Sequence, residues 1–340
     1  MKPDLFSHLF DLQDKRLNDL GDPLEELARL IDWEAFRPEL SRVHAKRNES
    51  NKGNKPKDEV MMFKGLVIQS LYGLSDEQLE YQIEDRRSFQ RFLGLGNHER
   101  APDAKTFWSF KEQLMNLGIF ESLFASFNEQ LERAGFRAKQ GQILDASLVS
   151  VPIQRNSREE NKQIKVGEVP EDWEVNKRVQ KDTEARWTKK NGKSTYGYKN
   201  HIGIDKKYKL IRTYEVSDAS VHDSVMANEL LDEDNTSKDL WGDSAYRSKE
   251  TEKKLKNKGY RSKIHHKGKR NKPLSEFKKQ INTARSRVRC RVEHVFAAQR
   301  NWREKSLRSI GIARARMGIG MMNLTYNMKR MCFLLRVKCA

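Results

Sequence analysis

The sequence has 340 residues, which fits about two domains, and its 36% hydrophobic content is enough to build buried cores. Its 66 Lys and Arg against 48 Asp and Glu leave a net charge of +18, which favours a polyanionic partner such as nucleic acid. The chain lacks a run of about 18 uncharged apolar residues, so we expect no contact with a membrane. Residues 1–15 lack the apolar segment of a signal peptide, and the three cysteines have neither zinc-ligand spacing nor an even count. These features predict a cytoplasmic protein.

The excess positive charge is concentrated in residues 253–300. This stretch holds 17 basic residues and only two acids, Glu276 and Glu293, for a local balance of +15. Solvated basic faces are common in proteins, so charge alone does not identify a site. A band of this density nevertheless favours contact with many phosphates.

The first part of the chain has the pattern of an all-α domain. Apolar side chains recur at helical spacing in Val60, Phe63, Val67 and Leu71. Together with Pro56 before them and Gly73 after them, they predict one helix. Residues 46–57 are polar and without apolar periodicity, which predicts a loop or a mobile basic arm.

Later helices of this domain are predicted from their caps. Ser75 and Gln78 have the spacing of a capping box, and Ser88 and Asp103 are good cap residues. The corresponding helices are expected to end near residue 83 and to cover residues 88–94, 105–117 and 119–134. Short helices with tight turns suit a domain that reads bases in the major groove, although a plain packing bundle fits them equally well.

From about residue 140 the hydrophobic period changes from that of helices to that of strands. Three strands are predicted at 141–151, 196–204 and 209–216. A helix at 223–231, a strand at 240–243 and a helix at 249–258 follow. The last elements are an extended stretch at 260–265 and a long helix around Glu293. This order predicts an α/β fold of the ribonuclease-H-like kind, a mixed sheet flanked by helices. We therefore expect a helical DNA-binding domain at 1–135. A catalytic domain follows at 136–340, with an insertion at about 153–195 and a C-terminal helix.

Three acids have the placement that a two-metal phosphoryl-transfer site requires. Asp145 and Asp243 each end a short apolar run, and Glu293 is the acid of an arginine-rich helical stretch. Carboxylates of this kind hold two cations about 3.5 to 4 Å apart, which suits a nucleic acid backbone as substrate. Taken singly, each aspartate is more often a turn or cap residue, so the hypothesis depends on the set.

Five short motifs carry a resemblance to a known family. They are LDAS at 144–147, YKNHIGID at 198–205, SVHD at 220–223, GDSAY at 242–246 and RCRVE at 289–293. With these motifs the chain resembles the bacterial insertion-sequence transposases of the DDE superfamily, and it is most similar to insertion-sequence family five. The segment PDAKTF at 102–107 resembles the family's N-terminal domain. The resemblance covers roughly residues 30–330.

By position, this resemblance implies that Asp145, Asp243 and Glu293 are the catalytic and metal-binding triad. The family's cofactor would be two Mg²⁺ ions, for which Mn²⁺ can substitute. In this role one metal activates the attacking oxygen and the other stabilises the leaving oxygen, so that no covalent protein intermediate is needed.

A Tyr, Arg, Glu, Lys signature surrounds the third acid in the family. Here the matching positions are Ser286, Arg289, Glu293 and Arg300, of which Ser286 departs from the pattern. On one helix these positions share a stripe about 60° wide, so a carboxylate would stand between two guanidinium groups that clamp DNA phosphates. The ordinary alternative is an exposed i, i+4 ion pair of Arg289 with Glu293.

Further DNA contacts are expected outside this signature. With the two arginines of the signature, the predicted set is Arg289, Arg300, Trp187, Lys189, Lys190, Lys199, His201 and Arg247. Trp187 lies in a basic and aromatic segment, where its ring would stack on an unpaired base or serve as a buried anchor for the insertion. For His201 a structural role is the more common alternative.

The resemblance implies a transposase that binds the terminal inverted repeats of its element, cuts the DNA at the ends and joins the freed 3′ hydroxyls to target DNA. Double-stranded DNA is the expected partner, and holding two ends implies a homodimer or a larger assembly. Two alternatives stay open. One is a structure-specific nuclease that cuts without joining, and the other is a transposase-derived repressor that binds without cutting.

Overall fold

The computed structural model describes residues 5–43, 56–96, 99–190, 192–268, 273–302 and 307–339. The chain divides into two compact units, one within residues 1–130 and 328–340 and the other within residues 131–327. The predicted domain bounds differ from this division, because they place the whole C-terminal helix in the catalytic domain. These domain bounds remain a proposal. None of the helices in the described ranges is both long enough and apolar enough to cross a membrane.

The first unit is built from helices. They are α1 (Leu5–Asp19), α2 (Pro23–Leu30), α3 (Arg37–Leu40), α4 (Glu59–Tyr72), α5 (Asp76–Asp85), α6 (Arg87–Leu93), α7 (Ala104–Leu117) and most of α8 (Phe120–Arg133). The predicted capping box of Ser75 and Gln78 is present, and the Asp103 side chain caps α7. The predicted start of α4 at Pro56 is wrong, because Asp58 accepts from the backbone N–H of Met61 and begins the helix there. Most of the predicted loop at 46–57 lies outside the described residues.

Aromatic packing forms the core of this helical unit. The Trp33 ring contacts Phe92 edge-on with 5.3 Å between ring centroids, and Phe36 lies 5.1 Å from Phe63. All four side chains are buried. Aromatic pairs of this kind add to the stabilisation that burial of the rings provides.

The second unit is organised around a six-stranded mixed sheet. Its strands are β1 (Gln142–Ser150), β2 (Arg186–Lys190), β3 (Lys193–Asp205), β4 (Ile211–Asp218), β5 (Asp239–Gly242) and β6 (Arg261–Ile264). Hydrogen bonds connect them in the order β4-β3-β1-β5-β6, and β2 also pairs with β3. The pairs on the β5 side of β1 are parallel, and the others are antiparallel. This arrangement confirms the predicted ribonuclease-H-like fold.

Helices cover the sheet and occupy the insertion. They are α9 (Arg158–Lys165), α10 (Val175–Gln180), α11 (Lys249–Asn257), α12 (Glu276–Arg289), α13 (Arg291–Trp302) and α14 (Ile312–Cys339). One apolar cluster joins Leu144 of β1 to Leu255 of α11, and another joins Tyr198 of β3 to Ile319 of α14. Because side chains alternate along a strand, the two clusters lie on opposite faces of the sheet.

Two predicted helices differ from the observed structure. Residues 223–231 form only a 3-10 turn, Asp223–Val225, followed by further turns. There the Lys199 ammonium binds the Asp223 carboxylate, and Leu230 is buried in the core, so tertiary contacts override the local helical pattern. The predicted long helix around Glu293 is also wrong as a single helix. It is interrupted at Cys290, where a tighter turn separates α12 from α13.

Candidate active site

Asp145 is the fourth residue of β1, and Asp243 directly follows β5, the strand that pairs with the first residues of β1. β1 and β5 run parallel with Ile143 opposite Trp241. Asp145 comes two residues after Ile143, and Asp243 comes two residues after Trp241. Neighbouring strands are about 4.8 Å apart, so this register, continued by two residues, brings the two aspartates close together, and the charge of Asp243 acts on Asp145. Ile143 and Leu144 are buried and fix β1 within the sheet.

Backbone amides hold both aspartates in place. The Asp145 carboxylate accepts a hydrogen bond from the backbone N–H of Ala146 at 2.8 Å. The Asp243 carboxylate accepts one from the backbone N–H of Ala245, also at 2.8 Å, and caps the 3-10 turn Ser244–Tyr246. Each carboxylate is therefore oriented by a backbone amide close to it in the chain, which for Asp243 belongs to a turn.

Arg289 connects the first acid to the third. Its Nη1 donates to Oδ2 of Asp145 at 2.6 Å, and its Nη2 donates to Oε1 of Glu293 at 3.0 Å. The i, i+4 ion pair that was the ordinary alternative for these residues is present, and the same guanidinium also reaches Asp145 on β1. Its Nε is buried and has no hydrogen-bond partner within the described residues. The guanidinium stands between two carboxylates of the predicted triad.

The charges around Asp145 act in opposite directions. Burial raises the pKa of its carboxyl, since only 8% of the residue is exposed, and the nearby negative charge of Asp243 raises it further. The Arg289 guanidinium lowers the pKa of the same carboxyl, and Lys190 of β2 does so more weakly. A cation at this position therefore stabilises the ionised form of Asp145.

The carboxylates suit a divalent ion in their chemistry. Carboxylate oxygens are the ligands that Mg²⁺ and Mn²⁺ prefer, and the strand register places Asp145 beside Asp243. In the part of the chain that the structure describes, no group of three or more His, Cys, Asp or Glu side chains is arranged to hold a metal ion. Among the contacts of the described residues, Glu293 is joined to Asp145 through the guanidinium of Arg289.

Tyr246 and Asp223 belong to the surroundings of this site, and sequence reasoning assigned them no role. Tyr246 is fully buried, and its hydroxyl has no hydrogen-bond partner among the described residues. Burial raises its pKa, and the charges of Asp145, Asp223 and Asp243 add to that effect. Both residues lie in sequence motifs on which the family resemblance rests, and those motifs were the signal in the sequence that could have pointed to them.

The residues predicted to bind DNA on β2 are accessible. Trp187 is 47% exposed, and its ring contacts Tyr196 with 5.3 Å between centroids. Lys189 and Lys190 are exposed beside it. The side chain of Arg300 lies outside the described residues. These placements keep a basic and aromatic strand available to a polyanion.

Three other predicted DNA contacts already have partners within the protein. The ammonium of Lys199 binds Asp223 at 2.9 Å, and the guanidinium of Arg247 binds Glu252 at 2.8 Å. His201 is fully buried, and its Nε2 lies 2.9 Å from the Ser217 hydroxyl. Burial lowers the pKa of His201 to about 4, so it is neutral at pH 7. The contact of His201 with DNA remains a prediction, and burial of the side chain does not favour it.

The fold, with one acid on β1 and another directly after β5, is typical of enzymes that transfer phosphoryl groups of nucleic acids. Residues 137–328 match the family described as Transposase DDE domain, and residues 11–113 match the one described as Transposase domain (DUF772). The chain therefore belongs to the DDE transposases of insertion sequences. It is a DNA-cleaving and strand-transfer enzyme whose partner is DNA and whose chemistry depends on a divalent metal ion.

A solved structure also shows a likeness, at 13% identity and a TM-score of 0.45. It is described as a piggyBac transposase synaptic complex with hairpin DNA. The likeness covers 93% of this chain and 76% of that one.

Proposed function

We propose that this chain is a transposase of insertion-sequence family five that binds the terminal inverted repeats of its element, cuts at the element ends and joins the 3′ hydroxyls to target DNA. Asp145, Asp243 and Glu293 are assigned as its metal-binding carboxylates. The observation that carries this assignment is the parallel register of β1 and β5, which brings Asp145 beside Asp243. The bridge through Arg289 connects Glu293 to Asp145.

In this proposal the protein contributes the charge and the orientation of three carboxylates. Two Mg²⁺ ions, or Mn²⁺ in their place, would supply activation of the attacking oxygen and stabilisation of the leaving oxygen. Asp145 is held by Ala146 and Asp243 by Ala245, so both present fixed oxygens. Preorganised ligands of this kind lower the cost of assembling a charged transition state.

The proposed DNA surface includes β2. Trp187, Lys189 and Lys190 are exposed on this short strand, and the positive charge of Lys190 acts on Asp145. An exposed ring beside lysines supports stacking on an unpaired base together with contacts to phosphates. Because two element ends must be held together, we also propose a homodimer or larger assembly on DNA.

A joining assay tests the proposed reaction. The full-length protein is incubated with Mg²⁺, labelled terminal-repeat DNA and an unlabelled target plasmid, and both cleavage and joining are measured. We expect both products. Cleavage without joining would support the nuclease alternative, and binding with neither product would support the repressor alternative.

The third acid is tested by substitution. We expect Glu293→Gln to eliminate strand transfer, because the change removes a ligand charge and keeps the side-chain volume. Glu276→Gln is the matched control, since Glu276 lies on α12 and pairs only with Lys279 in the contacts described. Loss of strand transfer in Glu276→Gln with activity retained in Glu293→Gln would reassign the third ligand.

A further inference from the structure

We propose that Arg289 is an internal cation that holds the site closed in the metal-free protein and must withdraw before metal ions are bound there. The proposal rests on the assignment of Asp145, Asp243 and Glu293 as the metal ligands. Its basis is that a single guanidinium contacts two of these three acids.

The contact with Asp145 is the stronger part of this arrangement. The side chains of Asp145 and Arg289 are 11% and 22% exposed. Water therefore has little access to either charged group and could solvate them only weakly if the ion pair were broken. A carboxylate that is nearly buried needs a counter-charge, and Arg289 supplies it. The Glu293 side chain is 61% exposed, so its contact with Arg289 is weaker.

Arg289 and a metal ion would use the same oxygen atoms. Oδ2 of Asp145 and Oε1 of Glu293 both accept hydrogen bonds from the guanidinium, and both are the kind of atom that a divalent ion binds. Two cations cannot share this space without strong repulsion. Binding of a metal ion therefore competes with Arg289.

The attachment of α12 allows Arg289 to withdraw. None of the residues of α12 is buried, and its Phe277 is 70% exposed. Asn282 exchanges hydrogen bonds with the backbone of His266, and Arg285 donates to the carbonyl of Ile264. Because polar contacts hold this helix, a shift of α12 exposes no buried apolar side chain of its own.

DNA offers the withdrawn guanidinium a new partner. A phosphate accepts two parallel hydrogen bonds from arginine with good geometry. DNA binding that engages Arg289 would free Asp145 and Glu293, so DNA and metal would each favour binding of the other. The site would then bind its metal ions mainly when substrate is present.

The test measures the Mn²⁺ affinity of the DNA-free full chain by electron paramagnetic resonance of the unbound ion. We expect Arg289→Gln to bind Mn²⁺ about tenfold more tightly than the wild type, which corresponds to about 1.4 kcal/mol. The matched control is Arg287→Gln, which removes the same charge from an exposed position on α12 and should stay within about twofold. Equal or weaker Mn²⁺ binding by Arg289→Gln would overturn the proposal, because it would mean that Arg289 supports the ligands.

Two further variants distinguish failure of the role proposed for Arg289 from failure of the metal-ligand assignment on which it rests. Arg289→Lys keeps the charge but loses the forked geometry, and its affinity should lie between those of the wild type and Arg289→Gln. Asp145→Asn should weaken Mn²⁺ binding at least about tenfold. If Asp145→Asn does not weaken binding, the ligand assignment fails. If it does and Arg289→Gln does not tighten binding, only the role of Arg289 fails.

The coupling to DNA is tested in the same way. Terminal-repeat duplex DNA should raise the Mn²⁺ affinity of the wild type more than that of Arg289→Gln, because the variant has no guanidinium to release. An equal gain in both proteins would overturn the coupling. Thermal unfolding of each variant without metal shows that the comparison is made between folded proteins.

Discussion

Helices α12 and α13 follow each other directly in the chain and differ in how deeply their side chains are buried. Val292 and Val295 of α13 are completely buried, and α13 packs against β1. None of the residues of α12 is buried, although it lies against β5, and hydrogen bonds join it to the last residue of β6 and to the segment that follows. Glu293 is therefore carried by a helix that apolar packing fixes, and Arg289 by one that polar contacts hold. The difference indicates that the position of Glu293 is fixed, whereas that of Arg289 can change.

The largest effect should come from Asp145, the strand residue that α12 reaches through Arg289. We expect Asp145→Asn to lower cleavage of terminal-repeat DNA at least about a thousandfold, because a metal ligand loses its charge. DNA binding should stay within a few fold. Asp239→Asn on β5 is the control, since Asp239 pairs with Arg261 on the surface. Normal cleavage by Asp145→Asn in Mg²⁺ would remove this residue from the triad.

The packing difference predicts unequal losses of stability. Val295→Ala should lower the free energy of unfolding by about 2 kcal/mol, because it removes buried methyl groups and leaves a cavity. Ile281→Ala on α12 should cost less than about 1 kcal/mol, since Ile281 is not buried. Urea denaturation measures both values. Similar losses in the two variants would show that α12 packs more tightly than its exposure indicates.

A smaller and local effect is expected at Asn282, which anchors α12 to the backbone of His266 through two hydrogen bonds. Asn282→Ala should cost about 1 to 2 kcal/mol of local stability. Amide hydrogen exchange should become faster throughout α12 and stay unchanged in α13. Equal acceleration in both helices would mean that they open as one unit.

The smallest effect should appear with pH, at His265, which lies 3.3 Å from the Ser286 hydroxyl of α12. Burial lowers the pKa of His265 below its ordinary value of 6.5, and the charges of Arg289 and Arg285 lower it further against the opposing effect of Asp243. The unfolded chain therefore binds this proton more readily. The stability contributed by neutral His265 is present above about pH 6.5 and is lost as the pH falls through the folded pKa.

Hydrogen exchange again provides the measurement of this pH effect. Protection factors of α12 should fall between pH 7.5 and pH 5, while those of α13 stay constant. His265→Asn should remove the difference between the two pH values. A pH dependence that persists in this variant would assign the effect to another group.

The sequence by itself determined the features that depend on neighbours along the chain. The capping box of Ser75 and the cap of Asp103 are present where the pattern placed them. Strand periodicity located β1, and the order of the elements was enough to predict the fold, because caps and alternating side chains act over a few residues. The prediction of Asp145 and Asp243 as site residues likewise began from the ends of their apolar runs.

Only the tertiary structure decided which distant groups meet. Arg289 and Asp145 are 144 positions apart, and no local pattern indicates that a guanidinium from α12 binds a carboxylate on β1. Burial of His201 and the loss of the expected helix at 223–231 likewise follow from contacts with other elements. The break at Cys290 separates a helix held by polar contacts from one held by apolar packing, and such a division depends on the surfaces against which each half lies.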